Sequence, residues 1–128
     1  MYGFTVNVNK SFDEAVDQVT DELQKEGFGV LTEIDVKAVM KKKLDIDKRP
    51  YKILGACNPV LANQAMEAEP DIGLLLPCNV IVRENEDESV TVGFMDPSSV
   101  LGLVQSEQLN SLGQDVLSRL HRVRDAIS

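Results

Sequence analysis

The feature that most constrains this chain is a hairpin signature in its second half. Two apolar runs, residues 74–84 and 89–96, flank the turn Asn85-Glu86-Asp87-Glu88. The first run places Leu74, Leu76, Cys78, Val80 and Val82 on one face, and the second does the same with Val90, Val92 and Phe94. A polar turn of this length between alternating runs predicts a hairpin of the longer type. Strands joined so directly must run antiparallel, because a parallel neighbour needs a long crossover. An all-parallel α/β sheet is thereby excluded.

The remaining elements follow from periodicity. Phe4, Val6 and Val8 alternate with polar residues, so residues 2–8 read as a half-buried strand. Ser11 and Glu14 form a capping-box pattern, and Phe12, Val16, Val19 and Leu23 then recur at helical spacing up to Gly27. Phe28, Val30 and Ile34 suggest a second strand whose alternation Leu31 interrupts. Asp35 caps a short helix with Val36, Val39 and Met40 expected inward and its lysines outward. Tyr51 to Cys57 reads as a third strand and Pro59 to about Glu67 as a helix. Asp96-Pro97 starts a short helical turn. Leu109, Leu112, Val116, Leu120, Val123 and Ile127 form a stripe that suits a helix lying on a sheet. The expectation is a single α+β domain over residues 1–128, with one curved, mixed, largely antiparallel sheet and its helices on one face.

Charge and composition narrow the function classes. The net charge is −8 over 128 residues. Lys37, Lys41, Lys42, Lys43, Lys48, Arg49 and Lys52 nevertheless crowd one segment. Set against Asp45 and Asp47, these seven cations leave that segment at +5 and the remainder at −13. A basic arm on an acidic body suits an anion or an acidic partner surface, or simply a solvated helix face. The acidic remainder and the lack of tryptophan argue against nucleic-acid binding. The longest apolar run is too short to span a bilayer, and no basic-then-apolar leader is visible, so no membrane partner and a cytoplasmic location are expected. Two cysteines make no disulfide framework.

The segment Gly55-Ala56-Cys57-Asn58-Pro59 places one cysteine where a strand runs into a helix. Asn58 suits the N-cap and Pro59 the first turn. Backbone N–H groups pointing outward at such a start favour an anion or a thiolate. Cys57 is therefore a candidate reactive or ligand-contacting thiol, with a tight structural turn as the alternative. Cys78 is in phase with Leu76, Val80 and Val82, as a small core hydrophobe would be. The sharper alternative makes it the redox or metal-binding partner of Cys57. Glu69 and Asp71, beside Pro70, are the carboxylates of interest, or else turn formers. His121, the one histidine, falls off the apolar stripe and reads as a surface residue. No metal-ligand cluster, catalytic triad, phosphate loop or dinucleotide fingerprint is recognisable, so no metal or cofactor is expected.

Cys57-Asn58-Pro59 with Ala62, followed by Glu69-Pro70 and Ile72-Gly73-Leu74-Leu75-Leu76-Pro77-Cys78, resembles the signature of the prokaryotic domain-of-unknown-function family 302. Gly27-Phe28, Lys42-Lys43-Leu44 and Pro50 to Leu54 extend the resemblance across most of the chain. Asp45 departs from it, since such proteins usually carry glycine there. The resemblance implies a fold related to the TATA-box-binding-protein arrangement of sheet and helices, and a homodimer. It implies no activity.

The expected function is a small homodimeric module that holds a small, anionic ligand near Cys57 and Asn58, with Glu69 and Cys78 nearby. Two alternatives stand beside it. One is a thiol-dependent redox or metal-binding protein using Cys57 and Cys78. The other is a structural dimer that engages a protein partner.

Overall fold

The computed structural model describes all 128 residues. Its five strands are β1 (Gly3–Val8), β2 (Gly29–Asp35), β3 (Tyr51–Cys57), β4 (Cys78–Glu84) and β5 (Val90–Met95). Its helices are α1 (Phe12–Lys25), α2 (Val36–Leu44), α3 (Pro59–Ala68), α4 (Pro97–Leu101) and α5 (Glu107–Ile127). The strands form one open sheet in the order β1-β5-β4-β3-β2. Every neighbouring pair is antiparallel, so the sheet is not mixed.

Alternation decides which face of the sheet is covered. Val8, Leu54, Ala56, Val80, Val82, Val90, Val92 and Phe94 pack against Val16, Val19 and Leu23 of α1 and Val116, Leu120 and Val123 of α5. Each of these helices carries its apolar residues at three- and four-residue spacing, which aligns them on one side. A second, smaller core joins Ala65 of α3, Ile72, Leu101 of α4, and Leu109 and Leu112 of α5. Helices α1, α3, α4 and α5 thus gather on one side and at one end, and the opposite sheet face stays open.

The ends of the elements follow their local chemistry. Ser11 caps α1, accepting from the Glu14 amide at 3.2 Å and donating its hydroxyl to the Glu14 carboxylate at 2.8 Å. Gly27 follows α1 with φ +88°, a backbone state that costs other residues strain. Asp35, Asn58, Asp96 and Ser106 cap α2, α3, α4 and α5 in the same side-chain-to-amide manner. Leu31 sits at the register shift between Val30 and Thr32, so the residue that interrupts the alternation is a bulge in an edge strand. Asp45 closes α2 in the left-handed conformation, φ 54°. Aspartate tolerates that conformation better than most residues, and it is one in which glycine carries no strain.

Three further expectations fail. The first hairpin strand begins at Cys78 rather than residue 74, because residues Pro70–Leu75 form 3₁₀ turns. These turns bury Ile72 in the second core and leave Leu74 87 % exposed. Pro77, without an N–H, cannot extend the ladder. The second failure is α2, which buries none of its residues; Val39 is 41 % exposed. β2 and β3 lie beside it but leave Val36 and Met40 only half-buried, so its amphipathic pattern is matched only in part. The third is His121, which is half-buried and meets the Phe4 ring edge-on at 4.9 Å. Phe4 itself stacks on Phe94 at 5.2 Å, with the Arg124 guanidinium 5.5 Å above its ring.

Candidate functional site

The strand-to-helix junction forms as its residues suggest. β3 ends at Cys57 and Asn58 caps α3, its Oδ1 accepting from the Leu61 amide at 3.2 Å. Its Nδ2 donates to the Glu26 carbonyl at 3.5 Å, a carbonyl that also accepts from Arg119 Nη1 at 2.9 Å. The Asn58 side chain thus ties the start of α3 to the end of α1, while Arg119 brings in α5. A Cβ on Gly27 would lie 2.8 Å from Asn58 Nδ2, so this junction also needs glycine for space. Both polar ends of Asn58 are engaged by the protein itself.

Cys57 and Cys78 line one narrow crevice of about 40 Å³, with Ala56, Leu61, Pro77 and Leu112 among its walls. Ala56 and Cys78 are directly opposed across β3 and β4, so Cys57 lies one residue beyond the partner of Cys78. Both thiols are free. No histidine, lysine, arginine or carboxylate lines the crevice. Burial pushes the Cys57 thiol above its ordinary range. Burial, and then the proximity of Cys57, push Cys78 up to about 11. A helix N-terminus contributes only about 0.3–1 kcal/mol to an exposed anion, whereas apolar burial moves thiols strongly upward. Desolvation prevails here.

Glu69 does not join these residues. It follows the other end of α3 and caps the 3₁₀ segment, accepting from the Asp71 amide at 3.3 Å. Of the four sequence-derived site residues, the fold therefore groups Cys57, Asn58 and Cys78 and separates Glu69.

The open sheet face carries a larger hollow of about 620 Å³. The register sets out this face in rows across the strands. Tyr51, Arg83, Thr91 and Asn7 form one row; Ile53, Ile81, Gly93 and Thr5 form the next; Gly55, Asn79, Met95 and Gly3 form the third. At Gly93 a Cβ would come within 2.9 Å of Ile81, so the missing side chain gives Ile81 its place. In the first row Asn7 accepts from the Thr91 hydroxyl at 2.7 Å, and Thr91 accepts from Asn85 Nδ2 at 2.9 Å. Asn85 in turn accepts from Arg83 Nη1. Arg83 is the one charged side chain lining this hollow. Sequence reasoning passed over these residues because they are the off-phase positions of the strands. Their alternation was visible, but the strand order that assembles them was not.

The basic segment is partly neutralised. Lys41 pairs with Asp45 and Asp47, Arg49 with Glu84, and Lys52 with Glu33. Exposed pairs of this kind add little stability. No helix is long and apolar enough to cross a membrane.

Comparison with known proteins places the chain. A crystal structure of an uncharacterized conserved protein, DUF302, from Bacillus stearothermophilus superposes with a TM-score of 0.92 at 27% identity, covering 100% of this chain and 99% of that one. An uncharacterized protein of Aquifex aeolicus (strain VF5) is 29% identical over 93 residues. That match spans 62% of this chain and 65% of the relative's length. The model of the family described as domain of unknown function DUF302 matches residues 4–127, and the chain belongs to that family.

Proposed function

We propose that this chain is a binding module that acts as a homodimer and holds a small ligand, rather than an enzyme working through a thiol. One observation carries the reading: burial raises both thiols, and no base or cation lines their crevice. Thiols in this state stay protonated near neutral pH and are weak nucleophiles. The crevice of about 40 Å³ has room for about three or four water molecules at 10–15 Å³ each, so a ligand at Cys57 and Asn58 must open it. Free thiols suit a reducing compartment such as the cytoplasm.

Support for a homodimer comes from the other end of the sheet. β2 is an edge strand, and Leu31, Ile34, Val39, Leu44 and Ile46 are exposed along β2, α2 and the segment after it. A cluster of exposed apolar side chains beside a free strand edge marks an interaction surface. Sedimentation equilibrium of the native protein is expected to show twice the chain mass of 14.1 kDa, falling to the single-chain mass when Leu44→Asp and Ile46→Asp are combined. A native protein of single-chain mass overturns the dimer.

The shared crevice favours a second reading, in which Cys57 and Cys78 act as a thiol pair. Iodoacetamide labelling against pH separates the two. The binding-module reading expects slow labelling of Cys57 that rises only above the ordinary thiol range of about 8.5, and none of Cys78 until the chain unfolds. Rapid labelling of Cys57 at about pH 7, removed by Cys57→Ser, would instead establish a stabilised thiolate and sink the reading.

A further inference from the structure

We infer that the open sheet face is a binding site for a small organic monoanion with an apolar body, seated with its anionic group on Arg83. This assignment rests on the binding-module reading and adds the place and chemical class of the ligand. The hollow there holds about 620 Å³, within the range of about 300–1,000 Å³ usual for small-molecule sites. Its middle row is apolar where Ile81 and Gly93 line it. Thr5 ends that row, and Tyr51 and Asn79 flank it, all three as neutral polar groups.

Charge selects the ligand. The chain carries −8 overall, yet no carboxylate lines this hollow and its one charged side chain is Arg83. The hydrogen-bonded chain Asn85–Thr91–Asn7 tethers Arg83 through one nitrogen, Nη1. Its Nε and Nη2 donors find no acceptor in the chain and remain for a ligand. A guanidinium held on one side presents its fork to a carboxylate or similar oxyanion, a geometry that lysine cannot reproduce. A neutral or cationic ligand would leave that fork unanswered. An apolar body answers Ile81 and Met95.

The experiment uses two fluorescent probes of matching shape and different charge, 8-anilino-1-naphthalenesulfonate and the uncharged N-phenyl-1-naphthylamine. Both are titrated into the native dimer and into Arg83→Gln, with Ile81→Glu as a second variant and unfolding curves run on all three. The expected result is that Arg83→Gln weakens the anionic probe by about tenfold and shifts the uncharged one by less than about twofold. Ile81→Glu weakens both. Equal affinity of the anionic probe for native protein and Arg83→Gln overturns the ligand class. Absence of anionic-probe binding to the native protein overturns the site, as does dissociation of the dimer by Ile81→Glu, because a second copy would then cover this face. None of these failures touches the binding-module reading, which the thiol labelling decides separately.

Discussion

The two faces of this sheet are made by the same strands and live under different rules. On the helix-covered face Leu54, Val80, Val82, Val92 and Phe94 are buried against α1 and α5. On the open face Ile53, Ile81, Arg83 and Met95 remain half-exposed, one residue away in each strand. Alternation lets a strand meet both demands at once, because successive side chains never share a face. The covered face is bound by volume and by exclusion of water. The open face is free to carry polar groups and hollows. The cysteines show the covered side's character: even at a helix start, Cys57 is governed by burial.

That contrast breaks or holds under substitution, and the largest effect belongs to the covered side. Leu120 is fully buried, and Leu120→Ala is expected to destabilise by about 2–5 kcal/mol in urea unfolding, against less than about 1 kcal/mol for Ile81→Ala. Equal losses would mean that the open face is covered in solution. Gly27→Ala comes next. It forces a side chain into φ +88° and against Asn58 Nδ2, and is expected to cost about 1–3 kcal/mol.

Gly93→Ala sharpens the comparison from the open side. The added methyl lies 2.9 Å from Ile81 Cγ1, so Ile81 must give way: stability should fall by about 1 kcal/mol while the anionic probe binds less well. A large stability loss with unchanged probe binding would place the groove's role in folding instead. The smallest effect concerns Asp96, the cap of α4. Burial opposes its charge, but the Ser98 hydroxyl and the amides of Ser99 and Ser98 outweigh it and hold its carboxyl below the usual range. Its folded-state value is depressed, so its stabilisation is present above the unfolded value of about 3.9 and is lost as pH falls through the lower folded value. Asp96→Ala should cost about 1 kcal/mol at neutral pH, and the difference from native protein should shrink below about pH 4. A difference that grows with acid would contradict the assignment.

Much of this architecture is legible residue by residue where local chemistry decides. Ser11, Asn58, Asp96 and Ser106 cap helices, and the stripe from Leu109 to Ile127 lies buried along α5. Misreadings arise where tertiary packing overrides a local pattern. Leu74 and Leu76 have strand phase, but burial of Ile72 turns the chain into 3₁₀ geometry before Pro77. Val36, Val39 and Met40 have helical phase, but β2 and β3 cover them only in part. The candidate site divides in the same way. Cys57, Asn58 and Cys78 stand out as residue types, and their grouping follows from β3 lying beside β4. The Asn58–Glu26 contact joins residues 32 apart in the chain. The open-face rows depend on β1 joining β5, a pairing between the first and last strands that no local spacing encodes.

The most direct test of this division is a ¹H–¹⁵N titration of the native protein with 8-anilino-1-naphthalenesulfonate. Binding to the open face predicts that the amide shifts concentrate at Tyr51, Asn79, Ile81, Arg83 and Gly93, leaving Ala56, Cys57, Ala62 and Cys78 unmoved. Shifts that concentrate instead at Ala56, Cys57, Ala62 and Cys78 would place the ligand in the cysteine crevice and contradict the account.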